Sequence, residues 1–248
     1  MTKIFQVVHF LIDVGNTSVK AALMTDGRLS VMRRDNSLSG SLTELARGHN
    51  VSCCVCSAVR PLTASEQSLL DSLPFQVMRL SADLRLPFRI AYSTPETLGP
   101  DRIAAAAGAW SRKPGCNLLV IDAGTAVTYD VVTAQGEYIG GNISPGVRLR
   151  LQALHEHTGT LPMVSVQGDA PLLGYSTETA IRSGVLHGLN DEIAGCIQRL
   201  SSKYENLFVF LTGGDAELFE IPIKNGIFAD EFLVLEGLDT ICSFNEKN

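Results

Sequence analysis

Asp13-Val14-Gly15-Asn16-Thr17 and, 109 residues later, Asp122-Ala123-Gly124-Thr125-Ala126 are the two stretches whose reading decides the fold. Each follows an apolar, strand-like run, Val7 to Ile12 and Leu118 to Ile121. Each ends its strand on an acid, then a glycine, then hydroxyl or amide side chains. Such an end presents a carboxylate, backbone N–H groups and a hydroxyl at one point. Glycine lets the chain turn and lets a phosphate approach the backbone closely. The carboxylate can hold Mg²⁺, directly or through water. The repetition, once in each half of the chain, predicts two related lobes that face one nucleotide across a cleft.

Working outward, the first half alternates strand and helix. A strand over 6–13 enters the first turn. Val19 to Met24 and Arg28 to Arg33 read as a hairpin across Asp26-Gly27, a strong turn signal. Ser41 to Arg47 reads as a short helix with Ser41 and Glu44 as a capping box. Val51 to Val59 is a strand, Thr63 to Leu73 a helix stopped before Pro74, and Val77 to Leu80 a strand. Ser81 to Pro100 carries three prolines and is irregular, and a loop of that length in a compact domain is often functional. Pro100-Asp101-Arg102-Ile103 then opens an alanine-rich helix, since proline suits the first helical position.

The second half repeats the theme. A strand over 117–122 meets its glycine turn. Val127 to Thr133 and Glu137 to Gly140 form a hairpin across Gln135-Gly136. Helices follow near 148–157 and 177–200, and a last strand, Leu207 to Leu211, enters Thr212-Gly213-Gly214-Asp215. The expected fold class is α/β: two duplicated lobes with mixed sheets, divided as 1–112 and 113–248.

Composition narrows the function. The formal charge is −6, and the 20 Lys and Arg are scattered, which argues against a nucleic-acid surface. No apolar run reaches the roughly 18–20 residues of a membrane span. Lys3 followed by Ile4 to Ile12 imitates a secretory leader, but Gln6 and His9 interrupt it, and the run reads as a buried first strand. Six cysteines match no paired zinc spacing. Cys53, Cys54 and Cys56 read as reduced thiols in a buried strand, which sets a cytoplasmic, reducing location as the expectation. His155 and His157, two apart on a helix, point to different faces and are not a metal pair. Trp110 reads as core.

Five segments in order resemble the type III pantothenate kinases of the acetate/sugar kinase, Hsp70 and actin superfamily. They are Asp13-Val14-Gly15-Asn16-Thr17-Ser18-Val19-Lys20, Gly99-Pro100-Asp101-Arg102, Asp122 to Asp130, Gly140-Gly141-Asn142-Ile143-Ser144-Pro145-Gly146, and Ser176-Thr177 with Ala180 to Gly184. Pro100 fills the variable position of a Gly-x-Asp-Arg motif. The resemblance implies actin-like, ribonuclease-H-like lobes and ATP-dependent phosphorylation of pantothenate at the start of coenzyme A synthesis. It also implies a homodimer, Mg²⁺ and a monovalent cation, K⁺ or NH₄⁺.

It further implies roles. Asp13 faces Mg²⁺, and residues 13–20 with Thr125 contact ATP. Lys20, on the strand past the turn, folds back toward the phosphates. Asp122 holds the monovalent cation. Tyr92, Gly99, Pro100, Asp101, Arg102 and Thr177 line the pantothenate site, with Arg102 suited to a carboxylate. Asp101 is the catalytic acceptor of the substrate's proton. A carboxylate at a helix N-terminus is stabilised as the anion, which lowers its pKa. The expectation is therefore an orienting acceptor that takes the proton late. Thr177 also reads as a helix N-cap, and Gly213-Gly214 resembles an adenosine loop. The competing readings are a kinase or phosphatase of another small molecule, and a catalytically silent regulatory relative. Asp13, Lys20 and Asp101 are all present, which argues against the silent relative.

Overall fold

The fold is that of a computed structural model, which describes residues 6–219, 227–229 (backbone only) and 232–246. Lys3 and Ile4 lie outside the described residues. The chain divides into two compact units, 1–115 with 135–139 and 232–248, and 116–134 with 140–231. The expected division put everything after 112 in the second lobe. Instead, the C-terminal segment belongs to the first unit.

In the first unit, β1 (Val8–Val14), β2 (Val19–Thr25), β3 (Arg28–Asp35), β4 (Cys53–Ala58) and β5 (Met78–Arg79) form one sheet in the order β3-β2-β1-β4-β5. The first three are antiparallel, and β4 and β5 run parallel to β1 and β4 respectively. The β2–β3 turn places Asp26 and Gly27 at positive φ, 50° and 73°, as a two-residue Asp-Gly hairpin requires. Alternation along β1 sends Phe10, Ile12 and Val14 into a core with Leu38, Leu42, Cys54, Cys56 and Leu70. His9, Leu11 and Asp13 take the other face.

Helix boundaries follow their caps. α1 (Gly40–Thr43) has Ser39 as N-cap, with no side-chain cap bond, and passes into a 3₁₀ turn over Glu44–Ala46. The expected Ser41–Glu44 box does not form, because Ser41 Oγ meets Ser39 Oγ at 2.8 Å. A true box opens α2 (Ala64–Asp71), between Thr63 and Glu66. Glu66 is buried, accepts both Arg60 guanidinium nitrogens at 2.8 Å, and also accepts the Leu38 N–H. These bonds, the Arg60 pair above all, hold its carboxyl far below the usual range.

The irregular stretch contains β6 (Arg89–Ile90), which pairs parallel with Glu137–Tyr138 at the start of β9 (Glu137–Pro145). α3 (Pro100–Arg112) follows. It crosses α6 (Leu233–Glu246), a helix the sequence reading did not foresee. A Cβ at Gly237 would lie 1.7 Å from Ala104 O, and one at Gly108 would lie 2.1 Å from Leu233 O, so the two backbones touch. Trp110 is half-buried against Gly136 rather than in the core. His9 joins α6 to β1: Nδ1 is 2.6 Å from Asp239 and Nε2 3.0 Å from Glu246. Burial alone would lower its pKa, but the two carboxylates raise it to about 9.

In the second unit, β7 (Leu118–Ala123), β8 (Ala126–Val132), β10 (Phe208–Thr212) and β11 (Ile227–Ala229) join β9 in the order β11-β10-β7-β8-β9. Counted from β7, this is again 3-2-1-4-5, and the duplication is explicit. β7 is antiparallel to β8 and parallel to β10. Leu119, Ile121 and Ala123 face a core built with α4 (Val147–Glu156) and α5 (Thr177–Lys203), to which Val147, Leu151, Ile181, Val185, Leu189 and Ile193 contribute. The apolar face of α5 is thus core. All six cysteines are free thiols, and five are buried. His155 and His157 are exposed. No helix among the described residues is long and apolar enough to cross a membrane.

Candidate functional site

The first unit assembles one cluster at the end of β1. Strand register places Lys20 and Ser57 directly opposite Asp13, on β2 and β4, and Arg34 on β3 opposite Lys20. One face of the sheet therefore carries the row Arg34, Lys20, Asp13, Ser57 beside the turn Gly15–Ser18. Gly15 closes that turn by donating its N–H to Ser18 O at 3.0 Å.

Asp13 is half-buried, and its Oδ1 is buried with no hydrogen-bond partner. Burial pushes its carboxyl up to about 6, against the pull of the Lys20 ammonium, and the Asp101 carboxylate adds to the rise. Asp13 and Asp101 thus share one electrostatic neighbourhood. Asp101 sits in the first turn of α3 and accepts the Arg102 N–H at Oδ1, 2.9 Å.

Helix-end placement predicts a lowered pKa for Asp101. The structure reverses the sign, because burial outweighs the backbone N–H donors and the nearby guanidinium. Gly99 is the N-cap, and a Cβ there would lie 2.6 Å from Asp101 Oδ1. Any other residue would displace the carboxylate, which explains glycine at this position.

Arg102 is buried rather than a surface cation, and its guanidinium carbon stands 6.0 Å from the centre of the Tyr92 ring. Tyr92 meets Tyr138 edge-on at 6.1 Å, and Phe88 stacks on Tyr138 from 6.3 Å. A cavity of about 370 Å³ lined by Leu84, Leu86, Phe88 and Ile90 lies in the same loop. Asp13, Lys20, Asp101, Arg102 and Tyr92 all belong to the first unit.

The second unit holds Asp122, Thr125 and Thr177. Register sets Asp122 between Thr128 on β8 and Thr212 on β10. Two more glycines press on this turn. Gly213 has φ 98°, and a Cβ there would lie 2.3 Å from Ala123 O and 2.5 Å from Asp122 Oδ1. Gly146 donates its N–H to Thr125 O at 3.0 Å, and its Cβ would lie 2.1 Å from Gly124 O. Asp215, just past the Gly213-Gly214 pair, donates its N–H to Ala123 O and pairs through its carboxylate with Arg148 at 2.5 Å.

Thr177 is exposed in the first turn of α5. The N-cap is its neighbour Ser176, whose hydroxyl accepts the Thr179 N–H in a box with the buried Thr179. The N-cap role expected of Thr177 therefore falls to Ser176.

Sequence reasoning gave Ser57 and Arg34 no place and saw Thr128 and Thr212 only as members of their segments; strand register sets the first two in the row with Asp13 and the other two beside Asp122. It saw the segment ending at Gly146 as a motif without seeing that it rests on the second turn.

Residues 9–199 match the family model described as type III pantothenate kinase. The type III pantothenate kinase of Phocaeicola vulgatus is 45% identical over 97% of this chain and 100% of its own length. That of Bacteroides fragilis is 44% identical over 96% and 98%. A glucokinase of the ROK family from Streptomyces griseus, solved with glucose and AMPPNP, superposes with a TM-score of 0.53 at 12% identity. It covers 97% of this chain and is itself covered completely, 100%, and it shows the shared fold alone. With the duplicated 3-2-1-4-5 sheets and the motifs in place at their strand and helix ends, the chain belongs to the type III pantothenate kinase family.

Proposed function

We propose that this protein transfers the γ-phosphoryl group of ATP to the hydroxyl of pantothenate, the first step of coenzyme A biosynthesis. The observation that carries the reading is Asp101 at the head of α3, next to Arg102 over the Tyr92 ring, in a chain of this family that also sets Asp13 in register with Lys20. Phosphoryl transfer needs positioning and charge neutralisation more than covalent chemistry.

Arg102 binds the pantothenate carboxylate, and its stacking on Tyr92 limits the guanidinium's freedom. Thr177 and the Gly99-Pro100 backbone complete the substrate contacts. Asp101, with Oδ1 held by the Arg102 N–H, orients the hydroxyl and takes its proton through the other oxygen. Its burial makes it a better base than a helix-end carboxylate in water. The hydroxyl oxygen bonds to the γ-phosphorus, the bond to the bridging oxygen breaks, and ADP leaves. Backbone N–H groups of residues 16–18, the Asn16, Thr17 and Ser18 side chains, Lys20 and Thr125 hold the phosphates.

Asp13, with a buried oxygen lacking a hydrogen-bond partner, suits Mg²⁺, which when bound neutralises charge on the transferring group. Asp122 between two threonines offers an all-oxygen donor set, which suits K⁺ or NH₄⁺. Free thiols throughout fit the cytoplasm. A second copy of the chain is the protein partner in this reading.

The test is ADP release by purified protein with MgATP and pantothenate, in K⁺ and then Na⁺ buffer. Release that requires pantothenate is expected, and it should be fastest in K⁺. ATP binding without pantothenate-dependent release would overturn the reading.

A further inference from the structure

Arg150, in the first turns of α4, divides its donors between the strand end before its own helix and the neighbouring α5. Its Nε donates to Pro145 O at 2.7 Å, and its Nη2 donates to Ser144 Oγ at 2.7 Å and to Glu192 Oε2 at 2.5 Å. Glu192, on α5, accepts the Tyr129 hydroxyl through its other oxygen at 2.9 Å, and Tyr129 lies on β8, the strand that leaves the second glycine turn. Burial works against the Glu192 charge, and the bonds from Arg150, Ser144 and Tyr129 keep its carboxyl low. Arg150 and Glu192 are both half-buried.

An ion pair that only joined α4 to α5 would need Glu192 alone. Here two of the three contacts go to residues 144 and 145, the end of β9. The next residue, Gly146, rests directly on the turn: it bonds Thr125 O, and its Cα is too close to Gly124 O for a side chain. A rigid guanidinium fork that grips a carbonyl and a hydroxyl together fixes the path of the chain between them.

We infer that Arg150 is a positioning residue for the second phosphate turn, setting residues 144–146 against Gly124 and Thr125 and so the contacts of that turn with ATP. Tyr129 and Glu192 anchor it to β8. The inference rests on the proposed reading that Thr125 contacts an ATP phosphate.

Three variants test it: Arg150→Met, Arg150→Lys and Ser144→Ala. Lysine keeps the charge but cannot span carbonyl and hydroxyl at once. Alanine at 144 removes the serine's bonds to Arg150 and Glu192 and leaves the ion pair. Steady-state ADP release should show the KM for ATP raised about tenfold in Arg150→Met and about threefold in Ser144→Ala, with the KM for pantothenate within about twofold. Arg150→Lys should fall between them. Unchanged KM for ATP in Arg150→Met overturns the inference. So does an equal rise in both KM values that tracks a lower Tm, because that is the signature of a structural ion pair. Calorimetric titration with a non-hydrolysable ATP analogue separates this inference from the functional reading. If wild-type protein shows no pantothenate-dependent turnover, the functional reading fails. Analogue affinity weakened in the order Met, Lys, Ala would still support Arg150, and equal affinity in all four proteins would overturn it.

Discussion

Asp13 and Asp122 end corresponding strands of sheets with the same strand order, and their neighbours differ in kind. Asp13 has a lysine opposite it on one side and a serine on the other, and Asp122 has two threonines. Four residues, 15–18, separate the paired Val14 and Val19, whereas three, 124–126, separate Ala123 and Val127. Each turn is closed by its own bond, Gly15 N–H to Ser18 O and Gly124 N–H to Ala126 O, and the second is in addition pressed by Gly146 and Gly213 from two other elements. A duplicated topology has thus been given two chemistries. The wider turn, with Lys20 and Arg34 in register, suits anionic phosphate. The tighter turn has neutral threonines in register with its acid, and the proposed cation role of Asp122 rests on that contrast.

The largest effect should come from the charged neighbourhood. Asp101→Ala should lower turnover by about 10³-fold or more while leaving the Tm within a few degrees, because the structural bond it accepts, from the Arg102 N–H, is confined to the first turn of α3. ADP release and a thermal melt on the same sample decide it, and near-wild-type turnover would remove Asp101 from the chemistry.

Paired glycine substitutions probe the buttressing. Gly213→Ala combines a positive φ with a backbone collision and should cost about 3–4 kcal/mol, against about 1 kcal/mol for Gly15→Ala, whose Cβ meets only Ser18 O at 2.9 Å. Urea unfolding measures both, and equal costs would mean that the second turn is no more buttressed than the first.

A third difference lies four residues before each acid, where β1 has His9 and β7 has the buried Leu118. His9 has its pKa raised from 6.5 to about 9 by Asp239 and Glu246. The charged form is favoured in the fold, so its stabilisation is complete below pH 6.5 and is lost as pH rises through 9. The loss should be on the order of 3 kcal/mol. His9→Leu, which copies the second unit, should flatten the stability profile between pH 6.5 and 9.5. A slope that survives would assign the effect to other groups.

The smallest predicted change tests the flanks. Thr128→Lys puts opposite Asp122 the charge that Lys20 puts opposite Asp13. If Asp122 holds a monovalent cation, the lysine should replace it, and the rate ratio between K⁺ and Na⁺ buffers should drop from about tenfold to near one. An unchanged ratio would place the cation elsewhere.

Much of this was legible in the chain. The strand–Asp–Gly punctuation, the Asp26-Gly27 hairpin and the Pro100 helix start are local signals, and each fell within a residue or two of its expected place. Asp101 was legible as a candidate at a helix start, which the structure bears out, but not in its proton affinity. Its helix-end position is a local fact, whereas its burial depends on the surrounding fold. α6 was missed because Leu233 to Glu246 carries no motif and follows the last recognised strand, and its partners, Ala104 and Gly108, lie more than 120 residues away.

By itself, the sequence determined the element types, the duplication and the family, because these rest on residue order over short spans: apolar runs, turn residues and motif spacing. Tertiary structure alone decided which side chains meet. Strand register set Lys20, Ser57, Thr128 and Thr212 around the two acids, close glycine contacts set which loops press on which turn, and burial set the direction of each pKa. Register and burial depend on contacts between residues far apart in the chain, which no local pattern encodes.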